Sequence, residues 1–289
     1  MIRYNPKEWF FIIFQFHKAD TFRKLFPMII IIGIYSGFIA WLEISVWKLS
    51  ETSHVKNLSL IHSTLGLVIS MLLVFRTNTA YERWWEGRKI WGSLVNSSRN
   101  LALKVYAICP DEKVFYKIMI PNYAFALKNH LRAEINLDEI QDCDEFKSIQ
   151  IDVEKHIPNQ VANALISHTI QLNRVGKLSG EQLLFLNQEL SNFTDCAGAC
   201  ERIKKTPIPF SYSVFLKKFI FLYVITLPFG YVFSLGYYVI PVVSIIFYVL
   251  ASLELIAEEI EDPFGKDAND LPTDTISEGI KNSTIEILA

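Results

Sequence analysis

The stretch Val74-Phe75-Arg76-Thr77-Asn78-Thr79-Ala80-Tyr81-Glu82-Arg83-Trp84-Trp85-Glu86-Gly87-Arg88 decides how the rest of the chain is read. It follows an apolar run over residues 58–75, which is about the length needed to span a bilayer. No Gly and no Pro lies between Leu67 and Glu86, so no backbone breaker stops a helix where the apolar run ends. The sequence predicts a helix that crosses lipid and continues into water as a charged, aromatic-rich segment. That layout suits a pore wall that becomes a cytosolic vestibule.

The composition agrees with a membrane protein. The 289 residues are 51% hydrophobic and 13% aromatic, and the mean hydropathy is +0.25. Aromatics of this abundance fit the interfacial belts of membrane-spanning helices. A net charge of only −2 sets up no field that would gather nucleic acid, so none is expected as a partner. The cysteines, Cys109, Cys143, Cys196 and Cys200, form no short secreted framework, and disulfides are not expected. Cys196 and Cys200 are four apart and can share a helix face, but a metal needs more ligands and no His is close in sequence. Buried thiols are the expectation.

Beyond residues 58–75, three further segments can cross a membrane: 25–47, about 210–229 and about 235–255. The apolar run 219–253 is too long for one crossing of ~30 Å, and Pro228, Gly230 and Ser234 are the expected turn that splits it. Glu43 lies near one end of its segment and is expected to reach the interface. Lys217 and Lys218 are expected to snorkel. At the N-terminus the apolar stretch 9–16 is too short to span and has no small-residue cleavage site, so either an interfacial helix or one packed on the protein fits. Arg23, Lys24, Arg76, Arg83, Arg88, Lys89, Arg202, Lys204 and Lys205 all fall on one side of these segments. The positive-inside rule then puts both termini and the middle region in the cytoplasm. The expected organisation is an N-terminal interfacial or cytoplasmic helix (1–24), two transmembrane helices (25–75), a cytoplasmic helical region (76–207), two more transmembrane helices (208–255) and an acidic cytoplasmic tail (256–289).

Ser63, Leu67, Met71 and Phe75 stand four apart and share one side of a helix. Helix packing is the common meaning of such a stripe. The sharper one is an apolar constriction, which closes a pore to ions by expelling water. Arg76, Asn78, Thr79 and Glu82 continue the helix as a polar, water-tolerant mouth, which favours the sharper reading. Gly33 and Gly37 form a Gly-x-x-x-Gly pair suited to close helix approach. Arg83 beside Trp84 and Trp85 suits cation–π contacts. The acids from Glu254 to Asp270 are of a type that holds Ca²⁺, but their spacing is not that of an EF-hand, and a solvated acidic tail is the plainer expectation. No nucleotide-binding or hydrolase motif occurs, and His62, inside the second segment, is a lone His without functional weight. Nothing here names an enzyme.

Three blocks resemble the bacterial branch of the bestrophin family: Phe75 through Gly92, Cys200-Glu201-Arg202-Ile203 with Thr206-Pro207-Ile208-Pro209-Phe210-Ser211-Tyr212, and Glu261-Asp262-Pro263-Phe264-Gly265. The resemblance implies an all-α membrane protein of the bacterial inner membrane, with four transmembrane helices and a large helical cytoplasmic region. It implies a homopentamer in the lipid bilayer around a central pore. The pore neck falls on Leu67, Met71 and Phe75, the stripe the spacing already offers. A second aperture falls on an apolar residue of the soluble region, for which Val161 is chosen. Asp267 and Asp270 match the two acidic ligands of the family's Ca²⁺ clasp, but the acids between them are lost, which argues against Ca²⁺ activation. The implied function is passive conduction of monovalent ions, chloride or sodium, with cations slightly favoured. A coupled transporter, a membrane enzyme and a non-conducting scaffold are the rivals. The first two require ionisable groups facing inward at mid-membrane, which segments one, two and four lack at their centres.

Overall fold

The computed structural model describes residues 20–48, 57–141 and 151–289, with side chains from residue 21. The N-terminal stretch 9–16, most of the loop 48–57 and Cys143 lie outside the described residues. All regular structure among the described residues is helical. In chain order it comprises α1 (Asp20–Trp41), α2 (Leu58–Ile108), α3 (Lys113–Leu131), α4 (Ile157–Arg174), α5 (Gly180–Lys205), α6 (Phe210–Leu235), α7 (Val239–Glu261) and α8 (Thr273–Ile287). A π-helical turn, Leu42–Val46, ends α1. The chain divides into two compact units: a membrane unit within residues 2–82 and 207–261, and a second unit from 83–206 and 262–289. The 51 residues of α2 run through both as one helix of roughly 75 Å, unbroken between Leu67 and Glu86 as the absence of Gly and Pro there predicts.

The membrane unit holds α1, the first part of α2, α6 and α7. Thr21–Val46, Leu58–Ile108 and Phe210–Glu261 are long and apolar enough to cross a membrane. Its core is Ile32, Ile69, Leu73, Leu216, Ile220, Val224, Val243 and Phe247. Its surface is apolar as well: Ile31, Ile34, Leu60, Leu222 and Ile245 are exposed. A protein greasy on both sides of its helices belongs in lipid, and this is a membrane protein.

Small residues set the helix spacing. A Cβ on Gly33 would lie 3.3 Å from Ser244 Oγ, and one on Gly37 3.2 Å from Ile240 Cδ1. The Gly-x-x-x-Gly pair of α1 therefore packs on α7. The hairpin turn sits later than expected. Pro228 and Gly230 lie inside α6, and the chain reverses at Gly236, whose φ of +55° is a conformation L side chains rarely adopt. Gly230 is instead a packing glycine. A Cβ there would stand 3.0 Å from Ser59 N and 3.3 Å from Leu58 C, both backbone atoms at the start of α2. Backbone cannot yield as a side-chain tip does, so Gly230→Ala is expected to lower stability by about 1–3 kcal/mol. A thermal unfolding scan in detergent checks this.

One polar expectation changes. Glu43 does not reach the interface: it is buried in the π-helical turn with neither carboxylate oxygen hydrogen-bonded. His62 lies inside the membrane unit. It is buried between α2 and α6, its ring nitrogens 2.7 Å from Leu58 O and 2.9 Å from Thr226 Oγ1. Lys217 is exposed and paired with Glu258 at 2.9 Å.

In the second unit, α3 is the central helix, buried almost throughout from Phe115 to Leu131. Trp91, Leu94 and Leu101 of α2, Leu165 of α4 and Phe193 of α5 join its core. The starts of these helices are written in the sequence. Pro158 sits in the first turn of α4. Ser179 and Gln182 form a reciprocal capping box at α5. Residues 262–289 are not a solvated tail. Phe264, Leu271, Ile280 and Leu288 are buried in the same core. Asp274, at the start of α8, takes Arg132 on both oxygens at 2.8 and 2.7 Å.

Candidate functional site

The apolar stripe of α2 is exposed along its length: Leu67 is 65%, Met71 54% and Phe75 60% exposed. Ser63, Asn78, Thr79 and Glu82 extend the exposed face at either end. The opposite face, Ile69, Leu73, Arg76 and Ala80, is buried. Hydroxyls near the stripe donate back to the helix: Ser70 to Gly66 O at 2.7 Å and Thr79 to Phe75 O at 2.9 Å. Their donors are thus satisfied without water, and the surface they leave is apolar.

Arg76 is not part of a polar mouth. It is 1% exposed, its Nη2 donates to Glu261 Oε2 at 2.6 Å, and its Nε lies 3.5 Å from Glu254 Oε2. Glu261 also accepts the backbone N–H of Ile208 at 2.7 Å. One buried cation thus ties α2 to the end of α7 and to the residues that lead into α6. Tyr212 adds a bond to Leu72 O at 3.2 Å.

A parallel set of bonds occupies the second unit. Arg83 donates to the carbonyls of Thr206 at 2.5 Å and Ile203 at 2.7 Å. A guanidinium there satisfies carbonyls that the end of α5 leaves without partners. Trp84 Nε1 donates to Asn269 O at 3.0 Å, and Arg202 pairs with Glu86 at 2.6 Å. A Cβ on Gly87 would lie 3.1 Å from the Phe264 ring and 3.3 Å from Leu271. In each unit, then, the three sequence blocks quoted above are brought into contact with one another.

The remaining candidates are placed as follows. Val161 is fully buried in the core of the second unit, so its side chain has no surface to offer a passage. Val161 lies on the apolar face of α4, and that face is core. Asp270 is buried, and its Oδ2 accepts the backbone N–H of Asp267 at 2.7 Å. Leu271 N donates to Pro263 O at 2.9 Å, closing the same loop. Asp267 is exposed. Ca²⁺ takes six to eight oxygens, and here one of the two carboxylates already serves the loop's own backbone. Among the described residues, the groups of three or more His, Cys, Asp or Glu close enough to share a metal comprise only His130, His156 and Glu201. Cys196 and Cys200 are buried, and burial pushes both thiols up, as inert structural cysteines behave.

Apolar helices packed through small residues, with one long helix carrying an exposed apolar stripe, define an all-helical membrane protein. The model of bacterial and fungal bestrophins matches residues 1–286. A voltage-dependent anion channel-forming protein of Nostoc sp. is 34% identical over 285 residues, covering 96% of this chain and 91% of the relative. The voltage-dependent anion channel-forming protein YneE of Salmonella typhi is 31% identical, covering 99% and 94%. The crystal structure of a bacterial bestrophin homologue from Klebsiella pneumoniae superposes with a TM-score of 0.81 at 26% identity, covering 91% of this chain and 98% of the other. The chain belongs to the bacterial and fungal bestrophin family.

Proposed function

We propose that this protein is a passive, homopentameric ion channel whose subunits each cross the bacterial inner membrane four times, with both termini in the cytoplasm. The exposure of Leu67, Met71 and Phe75 on one face of an unbroken α2 carries the reading. A single subunit leaves that face open, and five copies around an axis would turn it into a narrow apolar neck. Dewetting of such a neck gates ions without a plug. The family supports conduction over an enzymatic or scaffolding role, and the relatives' names favour anions over the cation preference expected from resemblance.

Purified protein in liposomes should carry current, and the reversal potential across a chloride salt gradient gives the ion. A potential at the chloride equilibrium value supports anion conduction, and one at the cation's value restores the earlier preference. Silent bilayers from well-folded oligomer would support the scaffold reading instead. Conduction is also expected without Ca²⁺, because Asp270 is bonded within its own loop. Current that survives a Ca²⁺ chelator checks this, and current abolished by it would reinstate the clasp.

A further inference from the structure

We propose that His130, His156 and Glu201 form a binding site for a divalent transition-metal ion of the zinc class. The three come from the last turn of α3, the N-cap of α4 and the last turns of α5. Their ligand atoms all lie within 4.8 Å of one another. Both Nε2 atoms converge on the same oxygen, Glu201 Oε1, at 3.2 Å from His130 and 2.5 Å from His156. Ligands at zinc distances in a tetrahedron stand about 3.3 Å apart, so small side-chain shifts would seat an ion.

The donor set fits this class of ion. Two imidazoles and one carboxylate select zinc, cobalt, nickel or copper over Ca²⁺ and Mg²⁺. All three side chains are partly exposed, which leaves an entry path and a fourth position for water. Glu201 Oε2 is taken by Lys205 at 2.6 Å, which orients the carboxylate and leaves Oε1 to the site. Lys204 donates to Leu131 O and is not in a ligand position.

One rearrangement is required. His156 Nδ1 accepts the backbone N–H of Asn159 at 3.1 Å, so a neutral His156 carries its proton on Nε2. Binding moves that proton to Nδ1 and gives up the cap, while His130 gives up Nε2–H in the same way. A bound ion would replace the cap by joining α3, α4 and α5 directly.

The test is zinc binding to the chelator-stripped oligomer in detergent at neutral pH, read by calorimetry and by the shift in unfolding temperature. One ion per subunit is expected, with a raised unfolding temperature. His130→Ala and Glu201→Gln are expected to weaken binding by at least about tenfold. Glutamine matches the side chain in size and keeps one acceptor oxygen, for His156 or for Lys205, so this variant guards against loss of fold. Cobalt bound to the unmodified protein should show the visible bands of four-coordinate nitrogen and oxygen ligation. Unchanged affinity in both variants, absence of binding in the unmodified protein, or a thiolate-to-cobalt band would each overturn the site. None of these readouts depends on conduction.

Discussion

Arg76→Ala is expected to destabilise the membrane unit by about 3–5 kcal/mol, the usual cost of removing one partner from a buried ion pair. The guanidinium is 1% exposed, with Glu261 at 2.6 Å and Glu254 at 3.5 Å, and those side chains are 14% and 5% exposed. Alanine would leave two acids of α7 in a low-dielectric setting without the cation that pairs with both. The backbone N–H of Ile208 would still hold Glu261, but it carries no full charge to offset the second acid. Lysine keeps the charge and loses the planar fork that reaches both acids, so Arg76→Lys should fall between wild type and alanine. Chemical unfolding of the detergent-solubilised oligomer measures the series. An Arg76→Ala midpoint equal to wild type would mean that the pair contributes nothing.

Met71→Ala is expected to raise ion flux in liposomes by about tenfold. Met71 is the middle residue of the exposed stripe. In a closed ring its truncation would widen the neck and let water in. A barrier lower by about 1.4 kcal/mol gives that tenfold increase. Leu67→Ala and Phe75→Ala should act in the same direction from either side. Ile34→Ala removes an equally exposed apolar side chain from α1 and should leave flux unchanged. If Met71→Ala conducts as wild type does, the stripe is a packing or lipid-facing surface and the neck lies elsewhere.

What failed to show in the sequence failed for identifiable reasons. Arg76 follows an apolar run and precedes polar residues, so locally it looks like a residue at a wet mouth. Its partner Glu261 is 185 positions away, and no local pattern reports that pairing. Acidic composition suggested that residues 256–289 stay in solvent. The spacing of Ile276, Ile280 and Ile287 was the counter-signal, since it places apolar groups on one helix face that packs into the core. The hairpin turn was expected at Pro228, Gly230 and Ser234, all of which lie inside α6, because proline is tolerated inside membrane helices. The requirement for positive φ at Gly236 is visible only once the chain reverses there.

By itself the sequence determined the class: a helical membrane protein whose second spanning helix runs on unbroken, with caps and breaks marking α4 and α5. These features are local, because hydrophobic period, proline and capping chemistry act within a few residues. Only the tertiary structure decided which polar groups are partners. Arg76 with Glu261, Arg83 with the end of α5, and His130 with His156 and Glu201 join residues 26 to 185 positions apart. Burying a charge requires a partner held at bonding distance, and that distance is set by how the helices pack.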